Sequence, residues 1–127
     1  VHLFYYSLYS SICRAPVTIQ TAFFAEALGT GLLAFVIFAL THEKNEVMKD
    51  GFAPPLIGLT VGALVAVIAP LTQAGLNPAR DFGPRIVAFL AGWKAVAFKN
   101  WWVYVIAPLV GAPIGAAVAD KILYAED

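Results

Sequence analysis

Asn77, Arg80 and Asp81 stand close together in Asn77-Pro78-Ala79-Arg80-Asp81, between two long apolar stretches. Asn is a favoured N-cap, and Pro fits the first helical turn, where its missing N–H is no loss. A helix that starts here presents an amide, free backbone N–H groups and a guanidinium at its positive end. Such a tip suits a lone pair or an anion. Glu26 is the second chemically loaded residue: it alone is charged in the apolar stretch 21–40. A carboxylate at that depth is costly and needs partners. There is no metal-ligand cluster, no Ser-His-Asp pattern after a strand and no Gly-rich phosphate loop. The expectation is therefore a protein that is not an enzyme and uses no metal or cofactor.

The elements that must position these groups are membrane helices. Of 127 residues, 61% are hydrophobic and 13% charged, about half the charged share of a soluble domain. Mean hydropathy is +0.79. Alternating barrel-type strand patterning is absent, so the class is an all-α membrane protein. Net charge is zero, which gives no attraction to nucleic acid or anionic lipid. The lone Cys13 excludes an intramolecular disulfide. Val1 is not Met and no basic n-region follows, so the sequence reads as a piece of something longer, without a secretory signal peptide.

Three stretches are long and apolar enough to span a bilayer: about 21–40, 53–70 and 103–124. Residues 1–17 are too short and broken, a loop or the remnant of a preceding helix. The polar run 41–51 is a water-exposed loop, with His42 on it. The second span opens at Pro54-Pro55 and ends near Pro70, and Gly58 and Gly62 give it a small-residue packing face. Gly111 and Gly115 do the same for the last span, which carries Pro108 and Pro113. A helix over 78–90 is about 20 Å long, short of a hydrocarbon core of about 30 Å. It reads as a re-entrant half-helix. Trp101, Trp102 and Tyr104 read as an interfacial belt. The loop 41–51 and the C-terminus share one side of the membrane. Counting Lys and Arg puts the half-helix side in the cytoplasm, but Arg80 and Arg85 in that count belong to the motif.

The run Asn77-Pro78-Ala79-Arg80-Asp81-Phe82-Gly83-Pro84-Arg85 resembles the second signature loop of the major intrinsic protein family, the aquaporins and glycerol facilitators. Phe23-Phe24-Ala25-Glu26-Ala27-Leu28-Gly29-Thr30-Gly31 looks like that family's fourth membrane helix, and Pro108-Leu109-Val110-Gly111-Ala112 like its sixth. The resemblance implies that residues 18–127 are the second of two inverted repeats: three transmembrane helices plus one half-helix, without the first repeat and its Asn-Pro-Ala loop. Asp81, Arg85 and Pro108-Leu109 resemble the glycerol-conducting branch. Val65 and Ala74 depart from both the water and the glycerol patterns.

The resemblance implies a passive channel for glycerol and similar small neutral solutes, such as urea, with water. A solute entering the pore loses hydrogen bonds that the pore must replace. Arg80 offers five fixed donors and repels cations. The carbonyls of Gln73, Ala74 and Gly75 would accept, with Gly75 allowing the tight backbone. Asn77 would donate at the midplane, where the positive helix tip adds a barrier to cations. Val65 would line the filter, and Pro78 and Ala79 support it. Glu26 would brace backbone N–H groups of the loop before Asn77, with a proton relay as its rival. Asp81 would hold the Arg80 end of the half-helix. The partners expected are the bilayer, the solute, and a complementary first repeat or a homotetramer, in a plasma or inner membrane. The alternatives are a non-conducting truncated fragment and a small helical interaction subunit.

Overall fold

A computed structural model describes residues 17–45 and 51–124. His2, Cys13 and the segment 1–16 lie outside the described residues. The protein is an all-α membrane protein, and its described residues form three long helices and one half-helix. Helix α1 is Ile19–Thr41, α2 is Ala53–Thr72, α3 is Pro78–Ala88 and α4 is Trp101–Leu123. The three long helices have 23, 20 and 23 residues, about 30–35 Å at 1.5 Å per residue, enough to cross a bilayer. Their surfaces fit that solvent: Phe24 is 67% exposed, Leu59 70% and Val67 73%.

Each start has a local cause. Thr18 caps α1 by accepting the Thr21 N–H at 3.2 Å. Pro54 and Pro55 fall in the first turn of α2, where their missing N–H groups cost nothing. That helix ends close to Pro70, running two residues past it to Thr72. Proline removes one donor without leaving helical φ, and the final turn is held from beyond it. Gln73, in the left-handed region, donates its backbone N–H to the Ala69 carbonyl at 3.0 Å. The Tyr104 hydroxyl donates to the Thr72 carbonyl at 3.1 Å.

Helix α1 is central and packs on both α2 and α4. Its seam with α4 is made by Ala27 and Gly31 against Gly111 and Gly115. A Cβ on Gly111 would drive into the Ala27 carbonyl, and one on Gly115 into that of Gly31. Such close backbone approach is the packing device of membrane helices. Gly58 and Gly62 behave differently: nothing lies within 4 Å of where their Cβ atoms would be. Their face is open within this chain.

His42 is half-buried rather than out on a free loop. It stacks on Tyr124 with ring centroids 3.7 Å apart, and its Nε2 lies 3.7 Å from Asp120. The Tyr124 hydroxyl and the Asn45 amide both donate to the Ala39 carbonyl, at 2.5 and 2.8 Å. These contacts tie the C-terminal ends of α1 and α4 together on one side of the membrane.

After α2 the chain turns back inward. Thr30 is the twelfth of the 23 residues of α1, and its hydroxyl sits 3.3 Å from the Leu76 carbonyl. The residue before Asn77 is thus level with the middle of a spanning helix. From there α3 climbs back for 11 residues. One π turn, Phe89–Trp93, breaks at Gly92 (φ 102°), and a 3₁₀ turn, Lys94–Phe98, leads to α4. This is a re-entrant half-helix.

The seam between α1 and α4 can be weighed directly. Gly115→Ala should destabilise the chain by about 1–3 kcal/mol through overpacking, whereas Gly58→Ala should cost nothing. Thermal unfolding in detergent micelles would check this, and equal midpoints for the two variants would contradict the close crossing.

Candidate functional site

The loop 73–76 carries three non-glycine residues with positive φ: Gln73 at 68°, Ala74 at 53° and Leu76 at 53°. This region costs an L-residue about 1–2 kcal/mol. What holds them there is Glu26, which is 0% exposed. Its Oε1 accepts the Thr72 hydroxyl at 2.5 Å and the Gly75 N–H at 2.9 Å, and its Oε2 accepts the Leu76 N–H at 2.7 Å. Three donors on two oxygens is the pattern that an acceptor-only carboxylate satisfies. Hydrogen bonds to a charged group contribute about 1.5–3 kcal/mol each, the same size as the strain they oppose. Thr72 Oγ1 also lies 3.2 Å from the Ala74 N–H. Among the described residues, no buried side-chain polar atom lacks a partner.

Gly75 does not supply the left-handed backbone; its neighbours do. Its role is close approach. A Cβ there would sit 2.8 Å from Tyr104 Cδ1 and 3.4 Å from Glu26 Oε2. Ala74 is 0% exposed and lies in the small core with Ile68 and Leu76. It presents nothing to a solute, contrary to the acceptor role expected of it. Gln73 and Gly75 are half-buried. Val65 is half-buried and packs on that core.

At the half-helix tip, Asn77 caps α3 by accepting the Ala79 N–H at 2.9 Å. Asn77, Ala79 and Arg80 are exposed, and Pro78 is half-buried. Among the described residues no ion pair or hydrogen bond engages the Arg80 guanidinium. Asp81 is bound not to Arg80 but to Arg85, one turn on. Arg85 Nη2 reaches Asp81 Oδ1 at 3.0 Å and Nε reaches Oδ2. The reason is rotational: residues four apart share a helix face, whereas neighbours do not. Arg85 is only 3% exposed and also donates Nη1 to the carbonyls of Ala97 (2.8 Å) and Lys99 (3.2 Å). Phe82 packs edge-on against Phe98 and Trp101. The polar Asp81–Arg85 face of α3 points into the protein. Arg80 and Val87 lie on the open side.

Five residues were not assigned to the site from sequence: Thr30, Thr72, Tyr104 and, through their carbonyls, Ala97 and Lys99. A hydroxyl within or at the end of an apolar run was the available signal for the first pair. Tyr104 is not a belt residue. It is half-buried, with its hydroxyl on Thr72 and the Arg85 Cζ 5.1 Å from its ring centroid.

With this geometry in place, the chain can be compared with known proteins. The family model for the major intrinsic protein matches residues 4–119. A glycerol uptake facilitator protein of Pseudomonas aeruginosa is 37% identical over 116 residues, which is 87% of this chain and 42% of that protein. A propanediol uptake facilitator of Citrobacter freundii is 39% identical over 118 residues, 88% of this chain and 44% of that protein. An aquaglyceroporin of Rhizophagus irregularis is 41% identical over 112 residues, 85% of this chain and 35% of that protein. The chain therefore spans less than half the length of these curated relatives.

The brace yields a direct prediction. Glu26→Gln keeps one acceptor oxygen and sets an NH₂ group against a backbone N–H. One loop donor is then orphaned, at about 1–3 kcal/mol. Denaturation in micelles should show that loss, and an unchanged midpoint would contradict the brace.

Proposed function

The chain belongs to the major intrinsic protein family, and on that premise we propose that it forms the second half of a passive membrane channel for glycerol and similar small neutral solutes. The observation that carries this reading is the tip of α3. Asn77 and Arg80 are exposed at the start of α3, directly after a loop that Glu26 ties to α1 near its middle. A rigid scaffold under unspent donors is what a site for a desolvating hydroxyl compound needs. The pore must replace the hydrogen bonds lost to water, and donors fixed in advance do so without reorganising.

Arg80 would present its fork to two hydroxyls at once and repel cations by its permanent charge. Asn77 would use its free amide hydrogens at mid-depth, since its Oδ1 is already committed to the Ala79 N–H. The positive end of α3 adds to the barrier against cations. Gln73 and Gly75 would offer carbonyls; Ala74 would not. Val65 would supply apolar wall. Glycerol and propanediol, the solutes in the relatives' names, are small neutral diols or triols. A two-hydroxyl grip beside an apolar wall suits them. The chemistry requires no bond making, and no catalytic group is assigned.

One lip does not make a pore. The open faces of α2 and α3 would meet a first repeat carrying its own half-helix, on the same polypeptide or another. The assembly would sit in the cell's plasma or inner membrane, in the tetrameric form that the family resemblance implies.

Vesicles holding this chain together with a first repeat should take up glycerol faster than empty vesicles, measured by light scattering after an osmotic step. Arg80→Ala should change the ratio of glycerol to water permeability. Arg80→Lys, which keeps charge but loses the fork, should fall between the two. No glycerol flux above empty vesicles would sink the reading.

A further inference from the structure

We propose that Tyr104 is a positioning residue that links the two halves of the site and so sets its solute selectivity without touching solute. The inference rests on the reading of Asn77 and Arg80 given above. Three contacts converge on one side chain. Its hydroxyl donates to the Thr72 carbonyl at 3.1 Å, on the last residue of α2. Its ring edge lies so close to Gly75 that a Cβ there would come within 2.8 Å of Cδ1. Its ring face carries Arg85, with Cζ 5.1 Å from the centroid, within cation–π range.

The first two contacts are to Thr72 and Gly75, both of which donate to Glu26. The third is to the residue that fixes the rotation of α3. Arg85 holds Asp81, and Asp81 is the immediate neighbour of Arg80. Tyr104 thus stands between the braced segment at Thr72 and Gly75 and Arg85 of the half-helix. It also lines a cavity of about 70 Å³ with Leu71, Lys99, Asn100 and Val103. Once the hydroxyl is lost, the tie to Thr72 is gone and the ring would shift. Arg85 would follow, and with it the rotation of α3. A displacement near 1 Å is enough to upset a positioned site.

The test uses the full chain with a first repeat in vesicles. Its readout is the ratio of glycerol to water permeability, which does not depend on how much protein folds. Tyr104→Leu removes hydroxyl and ring and should change the ratio by about threefold or more. Tyr104→Phe keeps the ring over Arg85 and should move the ratio in the same direction by less. If Tyr104→Leu does not fold, Tyr104→Phe decides. A ratio equal to wild type in the folded variants overturns the proposal. If the wild-type assembly conducts nothing, the channel reading fails by itself, and a second arm decides the linkage. Phenylglyoxal modification, resolved by peptide mass, should leave Arg85 protected in wild type and expose it in Tyr104→Leu or, if that does not fold, in Tyr104→Ile. Arg85 protected to the wild-type degree in the folded variant overturns the linkage.

Discussion

A buried carboxylate in a membrane helix must find donors, and the rest of this structure depends on how Glu26 finds them. An acidic group at the centre of a spanning helix costs roughly 3 kcal/mol or more. The donors come from a segment that would otherwise be costly itself: a non-helical loop with backbone N–H groups at membrane depth. Each solves the other's problem. The hydrogen bonds from Gly75, Leu76 and Thr72 bury the charge and bend the chain back, so that Asn77 opens a helix in mid-membrane instead of at its surface.

The half-helix shows a related inversion. A surface helix of a soluble protein hides apolar residues and shows polar ones. Here Asp81 and Arg85 face inward, while Ile86, Val87 and Leu90 are open, Leu90 at 77%. The inward pair is satisfied twice over, by itself and by the carbonyls of Ala97 and Lys99. Those carbonyls are spare because they fall at the end of the 3₁₀ turn, Ala97 in its last turn and Lys99 as its C-cap. The irregular connection after α3 is therefore part of what fixes its rotation. A buried ion pair adds little net stability. Its use here is orientation, because it turns Arg80 to the open side.

Much of this was legible in the residues. The three spans follow from apolar length alone, and Asn77-Pro78 marks a helix start by chemistry that needs no tertiary contact. That Glu26 needed partners was plain from its surroundings. Other features depend on contacts across long sequence separations and left no local trace. Tyr104 beside two tryptophans reads as a belt residue until Thr72 and Arg85 are seen against it. Gly75 looks like the flexible residue of its loop, yet Gln73, Ala74 and Leu76 take the left-handed conformation. The bonds to Glu26 override local preference there. Pro70 marks the end of α2 closely, and the helix runs two residues past it because Gln73 and Tyr104 satisfy its last carbonyls. Asp81 sits next to Arg80 in sequence but one turn from Arg85 in space.

The central claim is that one carboxylate holds the loop that presents Asn77 and Arg80. Hydrogen exchange at single-residue resolution in micelles tests it most directly, because exchange reports local opening at each amide. The Gly75 and Leu76 amides, though they lie outside any helix, should exchange as slowly as those in the middle of α1. At least one of the two should become fast in Glu26→Gln, which keeps only one acceptor oxygen. Exchange at Gly75 and Leu76 as fast as at exposed Glu43 of the wild-type chain would contradict the account.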